Sequence, residues 1–324
     1  MGRGCGLSRR TLLRSWLVSL LGKRSAASTG IGLDPVSLTL RGFAPTIAFQ
    51  RRYRMDATIL LLGAPLFTRQ AAGGGYASVE MGDNGRTTAS ALQFAAGSSP
   101  ARAHGLNRFG ILREAAAERE TGMELAFAGL MTRAREESFE QGRKALASGA
   151  QDAEGVMARG RMFGPTIETW IETIGLAPDC DWSNLNETLF DALRREPLTT
   201  PRETTSGPVT TFLYAMRSAG LCGDAVLRQQ FTHTGKFYWL ETRRQPEHPL
   251  ELAGAIHNNS GARCAEFRTT YAAGDQSGIP IRIEYRPRSF LRLTFEAEHE
   301  ATEPAIHSLF SSLSNKAVLH QEGV

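Results

Sequence analysis

Asp179, Asp181 and Ser183 stand at alternate positions, the spacing with which a calcium-binding loop presents its first oxygen ligands. The chemistry then fails. The sixth position of such a loop is Asn184 where the chain must turn on a glycine, and the twelfth is Phe190 where a bidentate glutamate belongs. Helix capping accounts for the cluster better. Gly73-Gly74-Gly75 has the composition of a phosphate loop but no helix behind it to supply an N-terminus, so it reads as a bend or bulge in a strand. The seven histidines, His104, His233, His248, His257, His299, His307 and His320, are scattered. General-base chemistry would fall to His104 or His233, the more central ones, only if the fold brought a nucleophile beside them. The sequence contains no G-x-S-x-G elbow, H-E-x-x-H pair, Walker loop or nucleotide-binding G-x-G-x-x-G. The expectation is a binding or structural protein, not an enzyme, with no catalytic residue, no metal and no cofactor.

The four cysteines, Cys5, Cys180, Cys222 and Cys264, form no C-x-x-C and have no histidine at ligand spacing. In an oxidising compartment the preferred pair is Cys222 with Cys264, a buried thiol being the alternative for each. The charge also speaks to compartment. The chain has net charge +4, yet residues 1–28 hold Arg3, Arg9, Arg10, Arg14, Lys23 and Arg24 and no acid, so the remainder carries −2. A mildly acidic remainder gives no footprint for phosphates, and no nucleic-acid partner is expected. The leader places Arg9-Arg10 ahead of an apolar run, Trp16 to Leu21, and a small-residue Ser25-Ala26-Ala27 site, the three parts of an export signal of twin-arginine type. A basic amphipathic helix that is never removed is the other reading. The run falls well short of the roughly 20 apolar residues of a spanning helix, and no later segment reaches that length. The expected location is periplasmic or otherwise exported, in a bacterial envelope.

Alternation of apolar and polar residues supplies the elements. Tyr53, Met55, Ala57, Ile59 and Leu61 alternate with Arg52, Arg54, Asp56 and Thr58, and Gly63-Ala64-Pro65 ends or bends this first strand. Further strands are expected over 66–69, 76–81, 91–96, 106–117 and 124–132, and again over 225–231, 236–242, 250–256 and 263–271, with a closing hairpin over 279–298. Between them, 136–147 is helix-permissive and 148–164 reads as a Gly/Ala-rich connector. Helices are then expected with Ile167, Trp170, Ile171 and Ile174 on one face, with Leu185, Leu189, Ala192 and Leu193 on another, and with Val209, Phe212, Leu213 and Met216 on a third that ends at Gly220. The organisation is therefore an export signal over 1–28, a first sheet half over 29–147, connector and helices over 148–220, a second sheet half over 221–298 and a tail over 299–324. Ile306, Leu309, Phe310 and Leu313 give that tail helical spacing, suited to packing or to a membrane surface.

Three segments in order carry a resemblance: Val209-Thr210-Thr211-Phe212-Leu213-Tyr214-Ala215-Met216-Arg217, then Lys236-Phe237-Tyr238-Trp239-Leu240, then Ile279-Pro280-Ile281-Arg282-Ile283-Glu284, with Gly63-Ala64-Pro65 ahead of them. The chain resembles bacterial exported proteins carrying domain of unknown function 3108, over residues 49–80 and 205–298. It departs from them in Pro208, where an acid is expected, in extra helix between Leu106 and Arg202, and in the tail after Glu298. The resemblance implies a mainly β fold with some α: a strongly curved antiparallel sheet, a half-barrel, wrapped around a central helical segment and similar to periplasmic lipoprotein carriers. It implies no catalytic residues. An apolar concave face only partly filled by helices would leave a cavity suited to acyl chains, so the expected ligand is lipid-like or a lipoprotein, with peripheral contact to the envelope. Tyr53, Phe67, Phe94, Phe109, Phe127, Trp239 and Phe295 are the aromatics that would line it, ordinary core being the alternative for each. The alternative for the whole chain is an envelope-assembly protein with a fully packed core.

Overall fold

The computed structural model describes residues 35–98, 109–134, 153–164, 166–175, 203–204 and 209–298. Its strands are β1 (Thr46–Leu61), β2 (Ala64–Asp83), β3 (Thr88–Ser98), β4 (Phe109–Arg119), β5 (Gly122–Ala134), β6 (Ala153–Phe163), β7 (Thr166–Gly175), β8 (Glu203–Thr204), β9 (Thr210–Thr211), β10 (Val226–His233), β11 (Lys236–Gln245), β12 (His248–Asn258), β13 (Arg263–Thr270), β14 (Arg282–Arg288) and β15 (Leu291–Ala297). Among the described residues two helices accompany them, α1 (Pro35–Thr39) and α2 (Phe212–Leu221). All the strands join one sheet in the order β8-β7-β6-β5-β4-β3-β2-β1-β15-β14-β13-β12-β11-β10-β9. The first and last strands meet mid-sheet, where Tyr53 of β1 lies between Gly75 of β2 and Ala297 of β15. From this seam two meanders run outward, and neighbours are antiparallel except β9 and β10, which are parallel and joined across α2.

Alternation holds in the middle of β1, where Tyr53 and Met55 are buried and Arg54 is exposed, and reverses toward its end, where Thr58 and Leu60 are buried while Ile59 and Leu61, expected inside, are exposed. The two short strands expected over 66–69 and 76–81 are one strand, β2. Met55 pairs with Gly73 and Ala57 with Arg69, so three residues of β2 oppose one of β1 in a bulge. Ala71 takes φ +48° there, and its N–H donates to the Asp56 carboxylate at 2.7 Å. The glycines follow the bulge. A Cβ at Gly73 would lie 2.0 Å from the Gly97 carbonyl oxygen and 2.6 Å from the Met55 methyl, so only glycine permits that approach.

The expected half-barrel around a central helical segment is not what the chain builds. Residues 148–164, read as a connector, contain strand β6, and the helix expected from Ile167, Trp170, Ile171 and Ile174 is strand β7. Spacing of three and four was misleading because the same segment, Thr166-Ile167-Glu168-Thr169-Trp170-Ile171-Glu172-Thr173-Ile174, is mostly β-branched and also satisfies a period of two. Of the three helices expected between 148 and 220, the segment containing Leu185, Leu189, Ala192 and Leu193 lies outside the described residues, as do Asp179, Asp181, Ser183, the 136–147 segment, the leader and the tail. The third is present as α2, a ten-residue crossover, so the described residues form one continuous open sheet with two short helices.

The sheet curls strongly. β7 and β11 stand near opposite ends of the strand order, yet Met162 and Ile167 pack in one cluster with Phe237 of β11 and Tyr214 of α2. The position of a Cβ on Gly235, in the β10–β11 turn, lies 3.0 Å from a Thr169 methyl. The two wings therefore meet through side chains. On the opposite face, α1 sets Val36 and Leu40, with Phe43 just after it, over an alanine floor of Ala89, Ala91, Ala115, Ala117, Ala126 and Ala128. Glu124 fastens it there, accepting from Thr39 at 2.9 Å, Arg119 at 3.1 Å and Arg161 at 2.6 Å. Burial works against the charge of Glu124, but these hydrogen bonds outweigh it and hold the carboxyl below its ordinary range.

Candidate functional site

The inner face of the curl is the place where a ligand would be held, and α2 enters it. No side chain of Thr211 caps the helix. The cap comes from β4 instead: the carboxylate of Glu114, 1% exposed, accepts the backbone N–H of Leu213 at 2.8 Å and of Tyr214 at 3.2 Å. An acid at a helix N-terminus is favoured by the unpaired N–H groups and by the dipole. Burial nevertheless dominates and pushes the Glu114 carboxyl up to about 7, with the backbone hydrogen bonds pulling the other way. At the other end, the Arg244 guanidinium of β11 donates to the carbonyls of Ala219, Gly220 and Cys222 at 3.1–3.3 Å. A cation there complements the C-terminal dipole. The helix is thus clamped from both wings, and Tyr214 adds a hydroxyl bond to the Ser90 carbonyl at 2.8 Å.

Beside α2 the inner face is occupied by aromatics. Tyr53, Phe94 and Phe295 pack edge to face or tilted, with centroids 5.9–6.5 Å apart, the arrangement ring quadrupoles favour. The loop over 272–281 folds onto them. Tyr53 donates its hydroxyl proton to the Pro280 carbonyl at 2.6 Å, and Arg51 reaches both the Ile279 carbonyl and, at 3.0 Å, the Asp275 carboxylate. Burial raises the Tyr53 hydroxyl far above its ordinary pKa, so it stays a neutral donor. The loop also abuts α2, since a Cβ on Gly278 would lie 2.8 Å from Arg217. Nearer β10, Phe212 packs on Phe231 at 5.3 Å, Phe231 stacks on Tyr238 at 5.6 Å, and the His233 ring lies 5.9 Å from Phe212. His233 keeps part of its surface exposed, but its Nε2 is sealed from solvent, and burial lowers its pKa to about 4.

The seven aromatics singled out from the sequence are not brought into one lining. Tyr53, Phe94 and Phe295 are together, in the interior cluster. Phe127 is buried against Gly160, where a Cβ would come within 2.6 Å of its ring. Phe67 is on the tip of the β1–β2 hairpin, 57% exposed. Trp239 points away from Tyr238 and Leu240, to the outer face, with Arg228 stacked 4.7 Å over its ring. Phe109 opens β4, and its side chain lies outside the described residues, as does His104. Cys222 and Cys264 are not joined: Cys222 follows the last turn of α2, and the Cys264 thiol donates to the Ala262 carbonyl at 3.6 Å. What sequence reasoning missed is Glu114 and Arg244. Glu114 interrupts an otherwise apolar face, Leu112 to Ala116, and that break in alternation was its signal.

Among the described residues, a groove of about 400 Å³ lies beside α2, lined by Tyr214, Arg217, Ser218, Leu221 and Cys222. Among the described residues, no group of three or more His, Cys, Asp or Glu could hold a metal ion. No family model matches the chain, and no curated protein does. Among solved structures, it is similar to a β-barrel-like protein of domain of unknown function DUF1849 from Brucella abortus. The identity is 7%, the TM-score 0.37, and the match covers 83% of this chain and 98% of that one. None of these matches is to domain of unknown function 3108, which the sequence leads us to expect.

Proposed function

We propose that this chain is a non-catalytic scaffold of the bacterial envelope, exported by its N-terminal leader, whose inner face is filled by its own side chains and which acts through its surface. The observation that carries this reading is the Tyr53–Phe94–Phe295 cluster with the 272–281 loop tied over it. Each such ring contributes about 1.5–3 kcal/mol by leaving water, so an acyl chain would have to displace contacts already made. The polar groups drawn into the interior are spent on structure, Glu114 and Arg244 on the ends of α2 and Arg51 on the loop. The export reading rests on Arg9-Arg10, the apolar run after them and the small-residue site.

One observation favours a second reading, in which a lipid-like ligand is held. The groove beside α2 combines Leu221 with the Arg217 guanidinium and falls within the volume of small-molecule sites, so it would suit an amphiphile with an anionic head. Native mass spectrometry of the chain, alone and with an excess of a long-chain fatty acid, separates the two. The scaffold reading expects a bare chain in both spectra. A one-to-one adduct that Arg217→Glu abolishes would replace it with the carrier reading.

A further inference from the structure

The β1–β2 hairpin is apolar where it is most exposed. Leu62 at its turn is 101% exposed, Leu61 60%, Leu66 65% and Phe67 57%, and Ile59, the register partner of Phe67, is also exposed. The turn between β14 and β15 lies beside it, the Leu60 N–H donating to the Phe290 carbonyl at 2.8 Å, and Phe290 is exposed as well. A monomer that acted alone in water would gain by placing polar residues there, since a contiguous exposed apolar patch marks an interaction site. The charge around it is mainly of one sign. Residues 57–69 and 285–293 contain Arg69, Arg286, Arg288 and Arg292 and no acid. Arg288 sits 5.6 Å over the Phe290 ring, at the rim of the apolar surface. The acids nearest in register are Asp56, beside the Ala57–Arg69 pair, which accepts the Ala71 N–H and lies 3.5 Å from Arg54, and Glu266, opposite Arg286, which pairs with Arg263.

We propose that the tip formed by Leu61, Leu62, Leu66, Phe67 and Phe290, rimmed by Arg69, Arg288 and Arg292, docks this protein onto the surface of an anionic phospholipid bilayer. Apolar side chains on a protruding turn enter the boundary between headgroups and acyl chains, while arginines at the rim meet lipid phosphates. An apolar patch with a mainly cationic rim is complementary to that surface. A protein partner would have to supply both a greasy pocket and a ring of acids. The inference rests on the envelope placement proposed above but not on whether the interior is filled, so fatty-acid uptake and bilayer docking can fail independently.

The test uses the full chain, because the cationic leader could hold it to vesicles unaided. Phe67→Trp reports the tip against the parent chain as background, with vesicles of phosphatidylcholine alone, of phosphatidylcholine with phosphatidylglycerol, and of the latter with brominated acyl chains. The expected result is a blue shift of the added tryptophan on anionic vesicles, quenching by brominated chains, and little change on neutral ones. Leu62→Asp in the Phe67→Trp background should abolish the blue shift and the quenching while leaving the thermal midpoint unchanged, because Leu62 is fully exposed. An added tryptophan that neither shifts nor quenches while the chain co-sediments would show that the leader alone binds, and would overturn the proposal. So would the absence of any binding to anionic vesicles.

Discussion

Glu114 is buried and the Nε2 of His233 is sealed from solvent, and their pKa values move in opposite senses, so their effects on stability oppose each other over one pH window. Glu114 moves from 4.5 to about 7. The folded state then binds a proton that the unfolded state has lost, and stability present below pH 4.5 is lost as pH rises toward 7. His233 moves from 6.5 to about 4. There the unfolded state binds the extra proton, and stability present above pH 6.5 is lost as pH falls toward 4. At 1.36 kcal/mol per unit each displacement is worth about 3 kcal/mol, and between pH 4.5 and 6.5 the two slopes nearly cancel. Glu114→Gln removes one slope and His233→Gln the other. Urea unfolding at pH 5 and 6 should show little movement in the parent from these groups, a rise of about 1 kcal/mol with pH in Glu114→Gln, and a fall of the same size in His233→Gln. The slope is read, not the absolute stability, so any packing cost of either substitution drops out. Glu114→Gln and His233→Gln variants that both track the parent across that unit of pH would refute the reasoning.

Gly160→Val should destabilise the fold by about 1–3 kcal/mol, since the new side chain meets the Phe127 ring where even a Cβ would lie 2.6 Å away. Phe127→Leu in the same background should recover part of that loss, measured by urea midpoint. Arg244→Ala should cost about 1–3 kcal/mol by leaving the carbonyls of Ala219, Gly220 and Cys222 without their donor. Hydrogen exchange should then speed up in the last turn of α2 before it does in β12, and uniform exchange across both would argue against a local clamp.

Strand alternation was legible around Tyr53 and Met55 of β1, where one face is buried and the other wet; in the closing hairpin it found the two strands, although residues 279–281 belong to the loop before β14 and the neighbours Thr294 and Phe295 are both buried. It failed in β7, where Ile167, Trp170, Ile171 and Ile174 satisfy a helical spacing and the β-branched threonines between them decide for a strand. It failed in β6 as well, because Gly155 and Gly160 look like linker until Phe127 is seen packed on Gly160. The aromatic set was half legible. Tyr53, Phe94 and Phe295 share an inner face, but pairing β1 with β15 joins residues more than 200 positions apart, and no local pattern encodes that closure. Phe67 obeys the same alternation as Tyr53, yet it lies beyond the bulge at Ala71, on a hairpin end where little covers it. The clamp on α2 was hidden for a similar reason: Glu114 and Arg244 stand on opposite wings of the sheet, and only its curl brings both to one helix.

The central claim is that the inner face is closed by its own side chains, and uptake of a long-chain fatty acid by the parent chain, followed by native mass spectrometry, tests it most directly. A bare mass is expected at every fatty-acid concentration short of micelle formation. A stoichiometric adduct that forms without unfolding and that Tyr53→Ala or Phe295→Ala alters in affinity would contradict it, because the ligand would then be lying where the structure places the aromatic core.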